Sequence, residues 1–136
     1  MAPVRNHLVG GTRSAGAANA LATLGQKSHA ICPKLVACAK ANFAQAFEGH
    51  STPTMHQLSM ALVAARENAL DEYWKAMRAE FTMVRNADGS FAYRPTADTA
   101  LLGMNLDRDM NECWTTSHWT LVLCLDRVGL PLWKGQ

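Results

Sequence analysis

The sequence predicts an all-α domain of about five main helices. Apolar residues recur at helical spacing through stretches that glycine and proline punctuate. These stretches also alternate in character: the first, third and fifth are small or apolar around most of the circumference, and the second and fourth are longer or two-faced. Such alternation is expected where an inner ring of helices is wrapped by an outer ring, and an ordinary orthogonal helix bundle fits it too. A chain of 136 residues with 49% hydrophobic and 18% charged content can bury one core, so residues 1–136 are expected to form a single helical domain.

The opening residues as far as Gly11 read as loop, with Gly10-Gly11 as a hinge before Thr12 or Ser14, either of which can cap a helix. SAGAANALATL, residues 14–24, follows as a helix of small side chains, and Gly25 should stop it. A second helix is predicted over 28–47, with Ile31, Leu35, Val36, Cys38, Ala39, Phe43 and Phe47 approximating one stripe and Pro33 in its first turn. Gly49 should end it. Ser51 or Thr52 before Pro53 signals the start of a third helix, PTMHQLSMALVAARE, whose apolar circumference predicts burial.

The fourth helix, over about 68–85, sets Asp71, Glu72, Lys75, Arg78, Glu80 and Arg85 opposite Leu70, Trp74, Met77, Phe81 and Val84, and should lie on the outside. NADGSFAYRP then makes a polar turn that closes on two aromatics and a proline. An irregular stretch follows, with a short helical turn expected near 99–103. The fifth helix is expected over 113–128, apolar on nearly every side, with Gly129 and Pro131 as its stop. The two passages from outer to inner helix, EGHSTPT and NADGSFAYRP, hint at a helical-hairpin repeat of roughly forty residues.

Residues 78–91, RAEFTMVRNADGSF, resemble the QW-type repeat of the terpenoid cyclase and protein prenyltransferase superfamily. Arg78-Ala79 stands for the basic-small pair of that repeat, Phe81 for its aromatic, Asn86 for its glutamine and Asp88-Gly89-Ser90-Phe91 for its terminal turn. Asn86 and Phe91 depart from the commonest residues at their places. The resemblance implies an α/α toroid. Complete toroids use about twice as many helices as are counted here, so it further implies an incomplete toroid, a C-terminal segment of a longer chain that packs with further helices of the same or another chain. It is a signal of fold, not of activity.

Candidate chemistry gathers in LDRDMNE and the helix after it. Asp107 and Asp109 match the first two acids of the DxDD proton donor that the resemblance brings from protonating cyclases, but Met110 replaces the last. A solvated loop that lends charge to a helix N-terminus explains the same residues. With His118 they form the candidate acid and base groups of an enzyme acting on a lipid or glycan inside a toroid cavity. Cys113 and His118 are suitable zinc ligands, as in the prenyltransferases, which makes a zinc-dependent transferase the third and least favoured reading, since Asn111 stands where that pattern needs an acid. A core thiol and a tethered histidine account for both.

His50 would sit at the mouth of the same cavity beside the hydroxyls of Ser51 and Thr52, but no orienting acid or oxyanion site is visible, and helix capping accounts for both hydroxyls. His56 reads the same way. Tyr93, Trp114 and Trp119 can line an apolar or sugar-binding cavity, or simply pack the core. Because no catalytic motif completes, the reading preferred from sequence is a helical module that presents a concave apolar surface to a ligand, peptide or partner domain. No metal or cofactor is expected.

The bulk numbers exclude some partners. The formal charge of +2 comes from 13 basic and 11 acidic residues spread along the chain, so no basic stripe points to nucleic acid. No stretch approaches the length of a membrane span, and the N-terminus lacks a continuous apolar run of the signal-peptide kind. Cys32, Cys38, Cys113 and Cys124 lie in apolar, helix-like contexts without a CxxC pair, which reads as reduced thiols and a cytoplasmic chain, or else an internal piece of a secreted one.

Overall fold

A computed structural model describes residues 6–47, 52–93 and 106–127. They form helices α1 (Asn6–Thr23), α2 (Cys32–Ala41), α3 (Pro53–Arg66), α4 (Leu70–Val84), a short α5 (Leu106–Asp109) and α6 (Asn111–Leu123). Among the described residues the only β pairing is one isolated antiparallel bridge, Arg85 with Phe91. The protein is all-α. The expected turn at 99–103, the stop signals Gly129 and Pro131, and His50 with Ser51 lie outside the described residues.

Helix α1 starts earlier than the sequence predicts and runs straight through Gly10-Gly11. Its buried face is Gly11, Ala15, Ala18 and Ala22, one stripe at helical spacing. Gly11 is therefore a packing point, not a hinge: a Cβ there would lie 2.4 Å from Asn42 Cβ and 2.8 Å from Met60 Cε. Polar groups fasten the same seam. Asn19 Nδ2 donates to Ser59 O at 2.8 Å, and Arg66 Nη1 donates to Ala18 O and to Asn19 Oδ1. At the far end Gly25 takes a φ of 73°, its N–H donates to Ala22 O and that of Gln26 to Leu21 O, the paired bonds of a Schellman stop.

This packing makes two glycines of one helix respond in opposite directions. Gly16 is exposed and an added Cβ would meet nothing within 4 Å, so Gly16→Ala should stabilise by about 0.5–1 kcal/mol through helix propensity. Gly11→Ala gains the same propensity but must move the Asn42 backbone, and overpacking of about 1–3 kcal/mol outweighs the gain. Urea unfolding of the two variants measures both. Equal stabilisation by both would show that α1 does not approach α2 and α3 this closely.

The predicted second helix is cut short. Pro33 falls in the first turn of α2 as expected, but the helix ends at Ala41 because Asn42 turns its side-chain amide onto Cys38 O at 2.7 Å. A 3-10 turn, Phe43–Gln45, then redirects the chain and buries Phe43, Ala46 and Phe47. Helix α3 is the hub. It packs against α1, α2, α4 and α6 and buries Gln57, Met60, Ala61, Val63 and Ala64, as its apolar circumference predicts. Asn68, with φ of 51°, turns the chain sharply into α4, and Ala69 N–H donates back to Ala64 O.

Helix α4 is two-faced, as expected, with Tyr73, Met77 and Val84 buried and Asp71, Glu72, Lys75 and Arg78 exposed. Tyr73 donates its hydroxyl to Gln57 Oε1 at 2.7 Å, and burial pushes its phenol well above the ordinary value, which keeps it a neutral donor. Helix α6 differs from its prediction. It buries Thr115, His118, Trp119 and Val122 but leaves Leu121 54% and Leu123 40% exposed, so it covers the bundle with one face only. The four cysteines are free: Cys32 is buried, Cys38 and Cys124 are half-buried and Cys113 is exposed.

NADGSF forms a tight clasp. Asn86 N–H donates to Ser90 O, Gly89 N–H donates to Asn86 O with φ of 89° at the glycine, and Ala92 N–H reaches Val84 O. The hydroxyl and the N–H of Ser90 both donate to Asp88 Oδ1, which holds that carboxyl below the usual carboxylate range. Phe91 then plugs into the core against Phe81 and Trp119. Its N–H donates to Thr116 Oγ1 at 2.9 Å and its carbonyl accepts from Thr115 Oγ1. Tyr93 stays exposed, unlike Phe91.

Candidate functional site

Two places in this fold hold the residues that chemistry would use. The first is a buried polar chain at the start of α3. The early N–H groups of a helix lack partners within it, and Thr52, at the cap position of α3, makes no side-chain capping bond. The cap comes from far along the chain. Asp107, fully buried on α5, accepts through Oδ2 from the N–H of Thr54 at 2.7 Å and from the Thr54 hydroxyl at 2.6 Å. Its Oδ1 accepts from the indole N–H of Trp114 at 2.9 Å. The Trp114 ring lies against His118, centroids 4.1 Å apart, and His118 Nδ1 sits 2.9 Å from Trp114 O. A carbonyl only accepts, so Nδ1 carries the hydrogen.

The structure thus brings together Asp107, Trp114 and His118. It does so as a structural latch across α3, α5 and α6: the carboxylate meets donors on both oxygens, and its negative charge lies where the α3 dipole favours it. Asp109 is separate. It is exposed and pairs with its neighbour Arg108, Nε and Nη2 both 2.9 Å from Oδ1. The chain bends between α5 and α6 at Asn111, φ 65°, whose Oδ1 accepts from Cys113 N–H and so opens α6. Among the described residues no three of His, Cys, Asp and Glu gather in a group that could hold a metal ion, which leaves Cys113 and His118 without a third ligand there. Cys113 lines a shallow cavity of about 350 Å³ with Asp88, Ser90, Glu112, Thr116 and Ser117.

The second place is a groove of about 650 Å³ between α4 and α6, lined by Asp71, Trp74, Lys75, Arg78, Phe81 and Leu123. Trp74 and Phe81 are half-buried and meet edge to face with centroids 5.5 Å apart. Behind them Trp119, another predicted ligand-binding residue, is completely buried; it touches Phe47, Trp74, Phe81 and Phe91 with centroids between 5.3 and 6.4 Å. Trp119 therefore supports the groove without lining it. Lys75 and Arg78 are exposed and form no ion pair among the described residues.

Sequence reasoning missed Thr54 as the partner of Asp107 and named Trp74 and Phe81 only as part of the apolar face of α4. Their spacing does mark one apolar face of α4. That the face stays partly open depends on where α6 stops, which no local signal states. No family model, curated protein or solved structure matches the chain. No helix among the described residues is long and apolar enough to cross a membrane.

Proposed function

We propose that this chain is a non-catalytic helical binding module whose ligand-facing surface is the groove between α4 and α6. The observation that carries the reading is a pair of half-buried aromatic rings, Trp74 and Phe81, lining an open cavity of about 650 Å³. Its volume lies in the range of small-ligand sites, about 300–1,000 Å³, and aromatic faces bind apolar groups at little entropic cost. The enzyme reading has less support, because Asp107 is consumed as the cap of α3 and Asp109 pairs outward with Arg108. The toroid arrangement belongs to the same proposal: α4 and the NADGSF clasp correspond to the outer helix and terminal turn of the repeat that residues 78–91 resemble.

A neutral fluorescent apolar probe tests it. N-phenyl-naphthylamine should bind the folded protein saturably at one site, and Trp74→Ala should weaken it by roughly tenfold, about 1.4 kcal/mol. Met83→Ser, at an exposed position outside the groove lining, should leave binding unchanged. Non-saturable uptake, or equal binding by the Trp74 variant, rules the groove out as the site.

A further inference from the structure

We infer that the groove selects an amphipathic carboxylate, a small molecule with an aryl or acyl body and one terminal anionic group; the inference rests on the binding reading above. The body is set by the rings. Trp74 and Phe81 lie seven positions apart on α4, about 10 Å along the axis, and Leu123 closes the opposite side from the end of α6. The charge is set by what stands beside them. Arg78 lies one helical turn from Trp74 and one from Phe81, so its guanidinium emerges along the same strip, and Lys75 is one turn from Arg78.

Some surface cations meet acids: Lys40 is 3.3 Å from Glu72, and Arg108 is 2.9 Å from Asp109. Among the described residues Lys75 and Arg78 do not, nor do the exposed Arg13, Lys34 and Arg85; Lys75 and Arg78 differ in lining the groove, where Asp71 stands one turn from Lys75. Two unpaired cations against one carboxylate leave the rim positive. A guanidinium offers the planar pair of donors that a carboxylate accepts in bidentate fashion, and beside an apolar wall that contact is less screened than in open water. The occupant is a free small molecule and not a protein face, because a stable interface buries about 800 Å² per partner and the lined cavity is of single-ligand size.

Displacement of N-phenyl-naphthylamine by decanoate, decanol and decyltrimethylammonium, which share one chain and differ in head group, tests the inference. Decanoate should displace the probe at a concentration at least tenfold below the other two. Arg78→Gln, at an exposed position that does not hold the fold, should bring decanoate to the level of decanol and leave decanol unchanged. Lys75→Gln should move decanoate in the same direction by less. Equal displacement by decanol and decanoate overturns the charge selection and leaves the groove as an apolar site. Absence of probe binding overturns both readings. Concentration-dependent self-association that Leu123→Asp abolishes, with no decanoate binding, overturns the inference and gives the groove to a second copy of the chain.

Discussion

Trp119→Ala should destabilise the protein by about 3–5 kcal/mol, the largest effect expected of any single substitution described. Trp119 is fully buried and its ring meets four aromatics from separate parts of the chain: Phe47 after the 3-10 turn, Trp74 and Phe81 on α4, and Phe91 from the clasp. Truncation removes the ring that holds these together and leaves a cavity that rigid neighbours cannot fill. Thermal unfolding should show a midpoint lower by more than about 10 °C. The same variant should lose probe binding at temperatures where it is still folded, because Trp74 and Phe81 lean on the indole. Trp119→Phe should cost far less, about 1–2 kcal/mol. Its indole N–H is buried without a partner among the described residues, so the phenyl ring loses area but no hydrogen bond. A Trp119→Ala loss below about 1 kcal/mol is incompatible with the aromatic hub.

Asp107→Ala should cost about 2–4 kcal/mol, and Asp107→Asn should recover only part of it. The alanine leaves the Thr54 N–H, the Thr54 hydroxyl and the Trp114 indole N–H without their acceptor in a buried place. An asparagine supplies one accepting oxygen and one donating NH2. Whichever way the amide turns, it sets a donor against either Thr54 or Trp114. Urea denaturation of the two variants, together with a Thr54→Val double-mutant cycle, measures the coupling. A catalytic acid would behave in the reverse manner, with Asp107→Asn leaving stability intact. Unchanged stability in both variants would therefore remove the latch and restore Asp107 to the list of chemical candidates.

Much of the helix inventory was legible because its causes are local. Gly25 and Pro33 acted at the positions their backbone preferences dictate, and the polar face of α4 and the all-round apolar α3 followed from period alone. Local reasoning erred where a helix competes with a neighbour. Gly10-Gly11 looked like a hinge by propensity, yet the bare backbone of Gly11 is what α2 and α3 require for close approach. Asn42 looked like an ordinary helical residue, yet its amide closes on Cys38 O and ends α2. Of the two aromatics on which the clasp closes, Phe91 is buried and Tyr93 is not, and nothing in Phe-Ala-Tyr states which ring finds a hole.

The candidate site was less legible, and the reason is range. Thr54 and Asp107 are 53 positions apart, and the cap of α3 was sought in the adjacent Ser51 and Thr52 because capping is usually a neighbour's task. Trp114, Trp119 and Tyr93 were grouped by proximity in sequence, but the fold sends one into a latch, one into the core and one to the surface. By itself the sequence determined that the chain is helical, where most helices lie and which faces are apolar, since propensity, capping and periodicity act over a few residues. Only the tertiary structure decided which carboxylate caps α3, which tryptophan is buried and that Trp74 and Phe81 face an open groove. Each of those outcomes depends on which distant surface packs last, and pairwise burial between remote segments leaves no periodic mark on either one.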